Sequence, residues 1–278
     1  MAKQNMELGL PEFEQFLGNL NVPESCVLNK PLYKKMFQEH ADLSAKDKKV
    51  LKDDVDKIRW LYTLKPSTIN IAPYIDDYRD YAELAFLQVE LNNAANAERI
   101  GQLINRAIPY PLVIFFCLSE ANETREVDNL ALNDQLAIFL ADKRINQADK
   151  EKWVIEELQL SPWLSLHEIT DTARAFLASL TFTGLPHSNF WNFYQALMSR
   201  VQALLCAEIS GRFYIVSGES ANQHRETQQQ QLKQYRQIEQ DIKKLRVQVR
   251  QAEFNLQVVL NTQIKQQEQR LNKIAETL

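Results

Sequence analysis

The clearest periodic pattern lies near the end of the chain, where apolar residues recur at alternating intervals of three and four. The series runs through Tyr235, Ile238, Ile242, Leu245, Val249, Ala252 and Leu256. Such spacing is a heptad seam, which is typical of a coiled coil. Intervals of four through Leu260 and Ile264 interrupt the series before Leu271 and Ile274, and this stutter locally unwinds a supercoil. The pattern predicts one continuous helix, about 65 Å long at roughly 1.5 Å per residue.

So narrow an apolar stripe needs a second helix to cover it, because the rest of this helix is polar. We therefore predict that the seam binds a partner, either a second copy of the chain or a helix pair of another protein. The alternative is a long amphipathic helix folded back on its own domain. The predicted partner-binding residues are Ile238, Ile242, Leu245, Val249, Leu256, Leu260, Ile264, Leu271 and Ile274.

The upstream part of the chain mixes helical and strand periods. A capping box at Ser44 and Asp47 opens a helix that carries one apolar face and stops before Pro66; that face consists of Leu51, Val55, Ile58 and Tyr62. Within residues 82–91, a strand is indicated with one apolar and one mixed face. The apolar face is Ala85, Leu87, Val89 and Leu91, and the mixed face is Phe86, Gln88 and Glu90.

Helical spacing over residues 97–107 precedes the run 112–118, which is apolar on both faces and belongs in the centre of a sheet. A helix between two apolar strands predicts a crossover connection. Further strands are predicted at 130–132 and 136–140. From Asp149 the pattern, with Trp153, Ile155 and Leu158, turns helical again, and helices are predicted over 168–180 and 189–209.

These elements predict an α/β (α+β) domain over residues 25–148, with a restriction-endonuclease-like shape as one option. An N-terminal extension (1–24) precedes it, and a helical region (149–220) and a long coiled coil (221–278) follow. Six glycines in 278 residues argue against repeated phosphate-binding loops, and three distant cysteines indicate neither a disulfide framework nor a zinc site.

The distribution of charge is uneven. The net charge is −4, but the segment from Leu232 to the end has nine Lys and Arg against five Asp and Glu, a local charge of +4. A local charge of +4 is too small to predict direct nucleic-acid binding, so DNA contact through a partner is favoured. The first residues have no apolar core of signal-peptide length, and polar residues interrupt the longest uncharged stretch, Ala175 to Ser199. We expect a cytoplasmic protein without a membrane span.

One group of residues could carry chemistry. Asp76, Asp77 and Asp80 precede Glu90, and this order of carboxylates resembles metal-dependent nucleases, in which two carboxylates hold Mg²⁺. Such sites place a lysine two residues after the glutamate, and this chain has Asn92 there. An amide cannot stabilise developing negative charge as an ammonium does. The main prediction is therefore that the chain has no catalytic residue, metal or cofactor. The alternative is a nuclease with Asp77 and Glu90 as Mg²⁺ ligands.

Six segments resemble an uncharacterised bacterial family known as a domain of unknown function (4391-like). They are residues 40–49, 68–71, 89–92, 107–116, 141–146 and 252–261. The resemblance spans most of the chain and implies a genomic setting beside helicases and DNA methyltransferases in restriction or phage-defence loci. A lysine can follow the Glu-Leu pair in this family, and Asn92 departs from that pattern.

The pattern and the resemblance together predict a non-enzymatic accessory or scaffold subunit of an anti-phage or restriction-modification-like complex. Its partner is expected to be a helicase or a DNA methyltransferase, bound through the coiled coil. Two alternatives stay open: a degenerate Mg²⁺-dependent nuclease, and a homodimeric coiled-coil protein.

Overall fold

The computed structural model describes residues 12–40, 43–118, 135–149, 153–216, 218 and 221–278. These residues form two compact units, one ending at Val201 and the other beginning at Gln202. The predicted strand at 130–132 lies outside the described residues.

The first unit is built on a mixed sheet, which has seven strands in the described part of the chain. Its neighbouring strands are, in spatial order, β1 (Val27–Leu32), β2 (Val55–Leu64), β5 (Leu84–Leu91), β6 (Leu112–Leu118), β7 (Gln135–Ile145) and β8 (Trp153–Leu160). The short β9 (Leu164–Ser165) also pairs with β7. A separate β-hairpin consists of β3 (Tyr74–Ile75) and β4 (Asp80–Tyr81).

Within the sheet, β5 and β6 are parallel and the other pairs are antiparallel. The helix α4 (Ala97–Ala107) connects β5 to β6, so the predicted crossover and the bounds of its helix are confirmed. It packs so closely on the sheet that a Cβ added to Gly101 would lie only 2.7 Å from the ring of Phe139.

Helices cover both faces of the sheet. On one face, α4 joins α2 (Lys34–His40) and α3 (Ala45–Asp53) in a single apolar cluster with the strands. On the other face, Phe13 and Phe16 of α1 (Glu12–Leu20) pack edge-on against Phe115. The remaining helices of this unit are α5 (Asp171–Ser179) and α6 (Phe190–Ser210), and α6 continues into the second unit. The predicted helices at 168–180 and 189–209 are confirmed.

The alternation predicted for β5 is also confirmed. Leu87, Val89 and Leu91 belong to the cluster with α3 and α4, whereas Phe86 lies beside Phe115 on the opposite face. The capping box at the start of α3 is present as well, since the Ser44 hydroxyl accepts from the Asp47 amide and the Asp47 carboxylate accepts from the Ser44 amide.

Two predicted helices are wrong. The helix expected to run from Ser44 to Pro66 ends at Asp53, and the rest of that segment is β2. The buried residues of β2 are Val55, Ile58, Leu61 and Leu64. Register shifts at 55–57 and 60–62 place them three residues apart, which imitates a helical period. The segment containing Trp153, Ile155 and Leu158 is β8, which pairs along β7.

The long coiled coil is also wrong. The second unit contains α7 (Ala221–Val249) and α8 (Phe254–Thr277), which are separate helices joined by residues 250–253. They run antiparallel and form a helical hairpin, in which Arg246 pairs with Glu268 at 2.8 Å and Gln231 donates to Thr277 at 2.9 Å. The reversal at 250–253 falls where the heptad spacing is still regular, and the stutter through Leu260 and Ile264 lies inside α8. A seam that folds onto its own sequence neighbour meets it at a much higher effective concentration than any second molecule.

Candidate functional site

Glu90 lies near the carboxyl end of β5, where it neighbours Cys117 of the parallel strand β6. Its carboxylate pairs with the ammonium of Lys57 on β2 at 3.3 Å, and its side chain is 17% exposed. The proximity of Glu90 is the main cause of a raised Lys57 pKa. Burial raises the pKa of the Cys117 thiol well above its ordinary value, so this group stays protonated beside Glu90. The charge of Glu90 is thus balanced by a lysine of the neighbouring strand.

Asn92 connects the end of β5 to the end of α3. Its side-chain amide donates to the Asp53 carbonyl at 3.0 Å, and its backbone N–H donates to the Asp54 carbonyl at 2.8 Å. The Asp54 carboxylate in turn accepts from the Asn96 side chain at 2.6 Å. The position at which nucleases have a lysine therefore holds two secondary-structure elements together here.

Asp76 and Asp80 stabilise the turn of the β3–β4 hairpin. The Asp76 carboxylate accepts from the backbone N–H groups of Tyr78 and Arg79 and from the Tyr74 hydroxyl. These bonds hold the pKa of Asp76 below its usual value, and the bond from the Tyr78 N–H has the largest effect. Asp80 accepts from the Ala82 N–H at 3.1 Å. Asp77 is exposed at the turn.

The aspartates and Glu90 lie at opposite ends of the sheet. The β3–β4 hairpin contacts β7 through Tyr81, whose hydroxyl donates to Asp142 at 2.8 Å. Glu90 instead aligns, through Cys117, with Leu136 at the other end of β7. Six residues separate Leu136 from Asp142, which is about 20 Å along a strand. The described residues contain no cluster of three or more His, Cys, Asp or Glu able to hold a metal ion.

Sequence reasoning missed a polar cluster that holds the β3–β4 hairpin on the sheet. Arg79 pairs with Glu156 at 2.9 Å and with Asp142 at 3.4 Å, and its guanidinium lies 4.4 Å from the ring centre of Trp191. Burial raises the pKa of Asp142, although the Tyr81 hydroxyl and Arg79 oppose this. The available signal was a charged segment, 141–146, within an otherwise apolar strand.

Lys143 is fully buried next to this cluster. Its ammonium donates to the carbonyls of Ile108 and Tyr110, both at 2.7 Å, and burial lowers its pKa well below the ordinary value. The lysine thus fixes the loop between α4 and β6. Polar side chains fill this end of the sheet, and the contacts of Tyr81 and Lys143 hold chain segments together there.

The predicted partner-binding seam lies largely inside the helical hairpin. Ile242, Leu260 and Ile264 are buried, and a larger group is half-buried, namely Ile238, Leu245, Val249, Leu271 and Ile274. At the open end of the hairpin, Leu232 and Leu278 cluster with Cys206 of α6. Each helix therefore covers most of the seam of the other.

Leu256 differs from the rest of the seam, because it lies at the closed end of the hairpin and is 52% exposed. Four further apolar side chains are exposed there: Val247 at 54%, Phe254 at 76%, Val258 at 54% and Val259 at 53%. We call these five residues the hairpin tip. Exposed cations surround it, namely Lys243, Lys244, Arg246 and Arg250, and Glu253 is the one acidic residue between positions 243 and 259. Exposed apolar side chains grouped at one end of an element, with charged residues beside them, are typical of protein-interaction sites.

Among the described residues, no helix has the length and hydrophobicity needed to cross a membrane. No curated protein and no solved structure matches the chain. A family model described as "Domain of unknown function (DUF4391)" matches residues 20–271. Since this match covers nearly the whole chain, including the sheet, α6 and most of the helical hairpin, the protein belongs to that family.

Proposed function

We propose that the protein is a non-enzymatic accessory subunit, which joins protein chains in a bacterial anti-phage or restriction-modification-like complex through its hairpin tip. One observation carries this proposal: five large apolar side chains are exposed together at the tip, and Phe254 is 76% exposed. Isolated exposed apolar residues are ordinary on protein surfaces, whereas a group of them at one end of a helical hairpin favours an interface.

The chemistry of the sheet-bearing unit agrees with an accessory role. Glu90 is neutralised by Lys57, and Asn92 and Asp76 are engaged in hydrogen bonds that hold loops in place. The proposed setting is the cytoplasm, beside the helicases and DNA methyltransferases that the family resemblance implies. DNA is reached through such a partner, because the carboxylates of this chain outnumber its basic groups.

Co-expression with the adjacent helicase and methyltransferase genes tests this function. The complex is purified through a tag on the partner, and its mass is measured by light scattering. We expect a complex that contains this chain and loses mass when Phe254→Glu is introduced. Tyr33→Glu is the matched control, since Tyr33 is also exposed, at 70%, but lies in the first unit. Absence of any complex, or a complex whose mass Phe254→Glu leaves unchanged, would contradict the proposal.

A further inference from the structure

We propose that the hairpin tip of one chain binds the β3–β4 hairpin of a second copy of the same chain. This inference rests on the proposed function, because it names the occupant of the surface through which the subunit assembles. It follows from two exposed surfaces of opposite charge that the chain carries in its two units.

The basic surface is the hairpin tip. Its apolar side chains point in several directions from α8, because positions 254, 256, 258 and 259 spread over an arc of about 200° at 100° per residue. Of the flanking cations, Lys244 pairs with Asp241 and Arg246 with Glu268, whereas Lys243 and Arg250 have no carboxylate partner in the described part of the chain. The tip is therefore an apolar knob with unneutralised positive charge at its rim.

The acidic surface is the β3–β4 hairpin. Ile75 and Tyr78 are 64% and 53% exposed at its turn, and Asp76, Asp77 and Asp80 lie beside them in the sequence. The pKa of Asp76 is lowered by the hydrogen bonds from Tyr78, Tyr74 and Arg79, so its charge persists at physiological pH. Arg79, the one cation of this segment, is turned toward Glu156 and Asp142 on the sheet.

The two surfaces complement each other in both respects that matter for binding. Each has exposed apolar side chains at its centre, and the charges around the centres have opposite sign. Apolar centres supply most of the affinity of an interface, while complementary rims increase the association rate and set the orientation. In the proposed dimer, the tip of one chain meets the β3–β4 hairpin of the other. Tip-to-tip pairing is disfavoured because it would bring the cations of both chains together.

Sedimentation equilibrium of the full chain between 5 and 200 µM, roughly the range of weak dimers, tests the proposal. We expect a monomer–dimer equilibrium that weakens about tenfold when the salt concentration rises from about 0.05 to about 0.5 M, because exposed charges are screened. Phe254→Glu should weaken the dimer about tenfold or more. A glutamate in the first turn of α8 interacts favourably with the helix dipole, so the fold should tolerate the change. Circular dichroism checks this.

Charge exchange makes the test specific to the two surfaces. Asp77→Lys alone, and Lys243→Glu with Arg250→Glu, should each weaken self-association, since each places a charge opposite others of the same sign. An equimolar mixture of these two variants should form a heterodimer, because the tip with reversed charge on one variant then faces the β3–β4 hairpin with reversed charge on the other. Combining all three substitutions in one chain should restore the homodimer. Lys233→Glu, which reverses an exposed charge on α7 far from the tip, is the control and should have no effect.

Several outcomes would overturn the proposal: a monomer throughout the concentration range, a dimer insensitive to Phe254→Glu, or variants that fail to rescue each other. A monomer that instead sediments with phosphatidylserine vesicles in a Phe254-dependent manner would assign the tip to a membrane surface. A monomer that still binds the helicase or methyltransferase through the tip would refute the self-association alone and leave the proposed function intact. A dimer without such a complex would do the reverse.

Discussion

The sheet of the first unit and the helical hairpin of the second bury their apolar residues to different depths. Leu87, Ile114 and Phe139 are fully buried between the sheet and the helices on one of its faces. In the hairpin, the most buried seam residues are covered by one partner helix, and Ile264 remains 8% exposed. The sheet is thus covered on both faces, whereas each helix of the hairpin is covered by the other on one side. The proposed interaction site thus lies in the less deeply buried of the two units.

The largest expected effect comes from the centre of the sheet. Phe139→Ala should lower the free energy of unfolding by about 3–5 kcal/mol, because it removes a fully buried ring that packs against α4. Phe254→Ala should change it by less than about 0.5 kcal/mol, since that ring is exposed. Chemical denaturation of both variants measures this contrast. Equal losses would show that the two regions do not differ in the way their burial indicates.

A smaller effect is expected within the hairpin. Ile264→Ala should cost about 2 kcal/mol, at the low end for a buried isoleucine because one side of the seam is open. The loss should be confined to α7 and α8, so hydrogen exchange of those helices should accelerate while exchange in the sheet is unchanged. Val258→Ala, at an exposed position of the same helix, is the control. Faster exchange throughout the sheet would show that the two units unfold together.

The third test concerns a polar contact in the sheet. The Tyr194 hydroxyl accepts from the Ala141 N–H at 2.8 Å and donates to the Leu112 carbonyl at 2.8 Å, so it bridges β7 and β6 where their pairing ends. Tyr194→Phe should cost about 1–2 kcal/mol, because it leaves a buried N–H without a partner. Thermal unfolding measures the loss. A neutral result would mean that water or a backbone shift replaces the hydroxyl.

The smallest effect should depend on pH. Hydrogen bonds from Ser44 and Arg99 lower the pKa of Asp47 below its ordinary value of 3.8. The ionised carboxylate therefore stabilises the fold above that value, and the contribution is lost as the pH falls toward the lowered pKa. Asp47→Asn should cost about 1 kcal/mol at neutral pH. The difference from wild type should shrink below pH 3.8. A constant difference across this range would exclude ionisation as its cause.

Local patterns predicted those elements in which burial follows a regular period. The alternation in β5, the bounds of α4 and the helix at α6 were recognisable because nothing interrupts their periods. The segment β2 was misread because two register shifts space Val55, Ile58 and Leu61 as a helix would. Regular periodicity identifies an element only when the pairing of the strands is also regular.

The end of α7 could not be predicted for a different reason. The reversal at residues 250–253 contains neither glycine nor proline. In this turn the backbone N–H of Gln251 donates to the Gln248 carbonyl. A heptad seam indicates that a helix packs against a second helix, but it does not identify that second helix. The candidate carboxylates posed a similar problem, since the distance between Asp77 and Glu90 depends on the order of strands in the sheet.

The continuity of α6 has a consequence for how this protein can change during evolution. Its first half belongs to the sheet-bearing unit, and near its end Leu205, Cys206 and Ile209 form one apolar cluster with Leu232 and Leu278. Deleting α7 and α8 would expose these residues to water and leave an uncovered apolar surface at the end of α6. We therefore expect that α7 and α8 can be exchanged for those of a relative only when the incoming helices match the apolar residues at the end of α6.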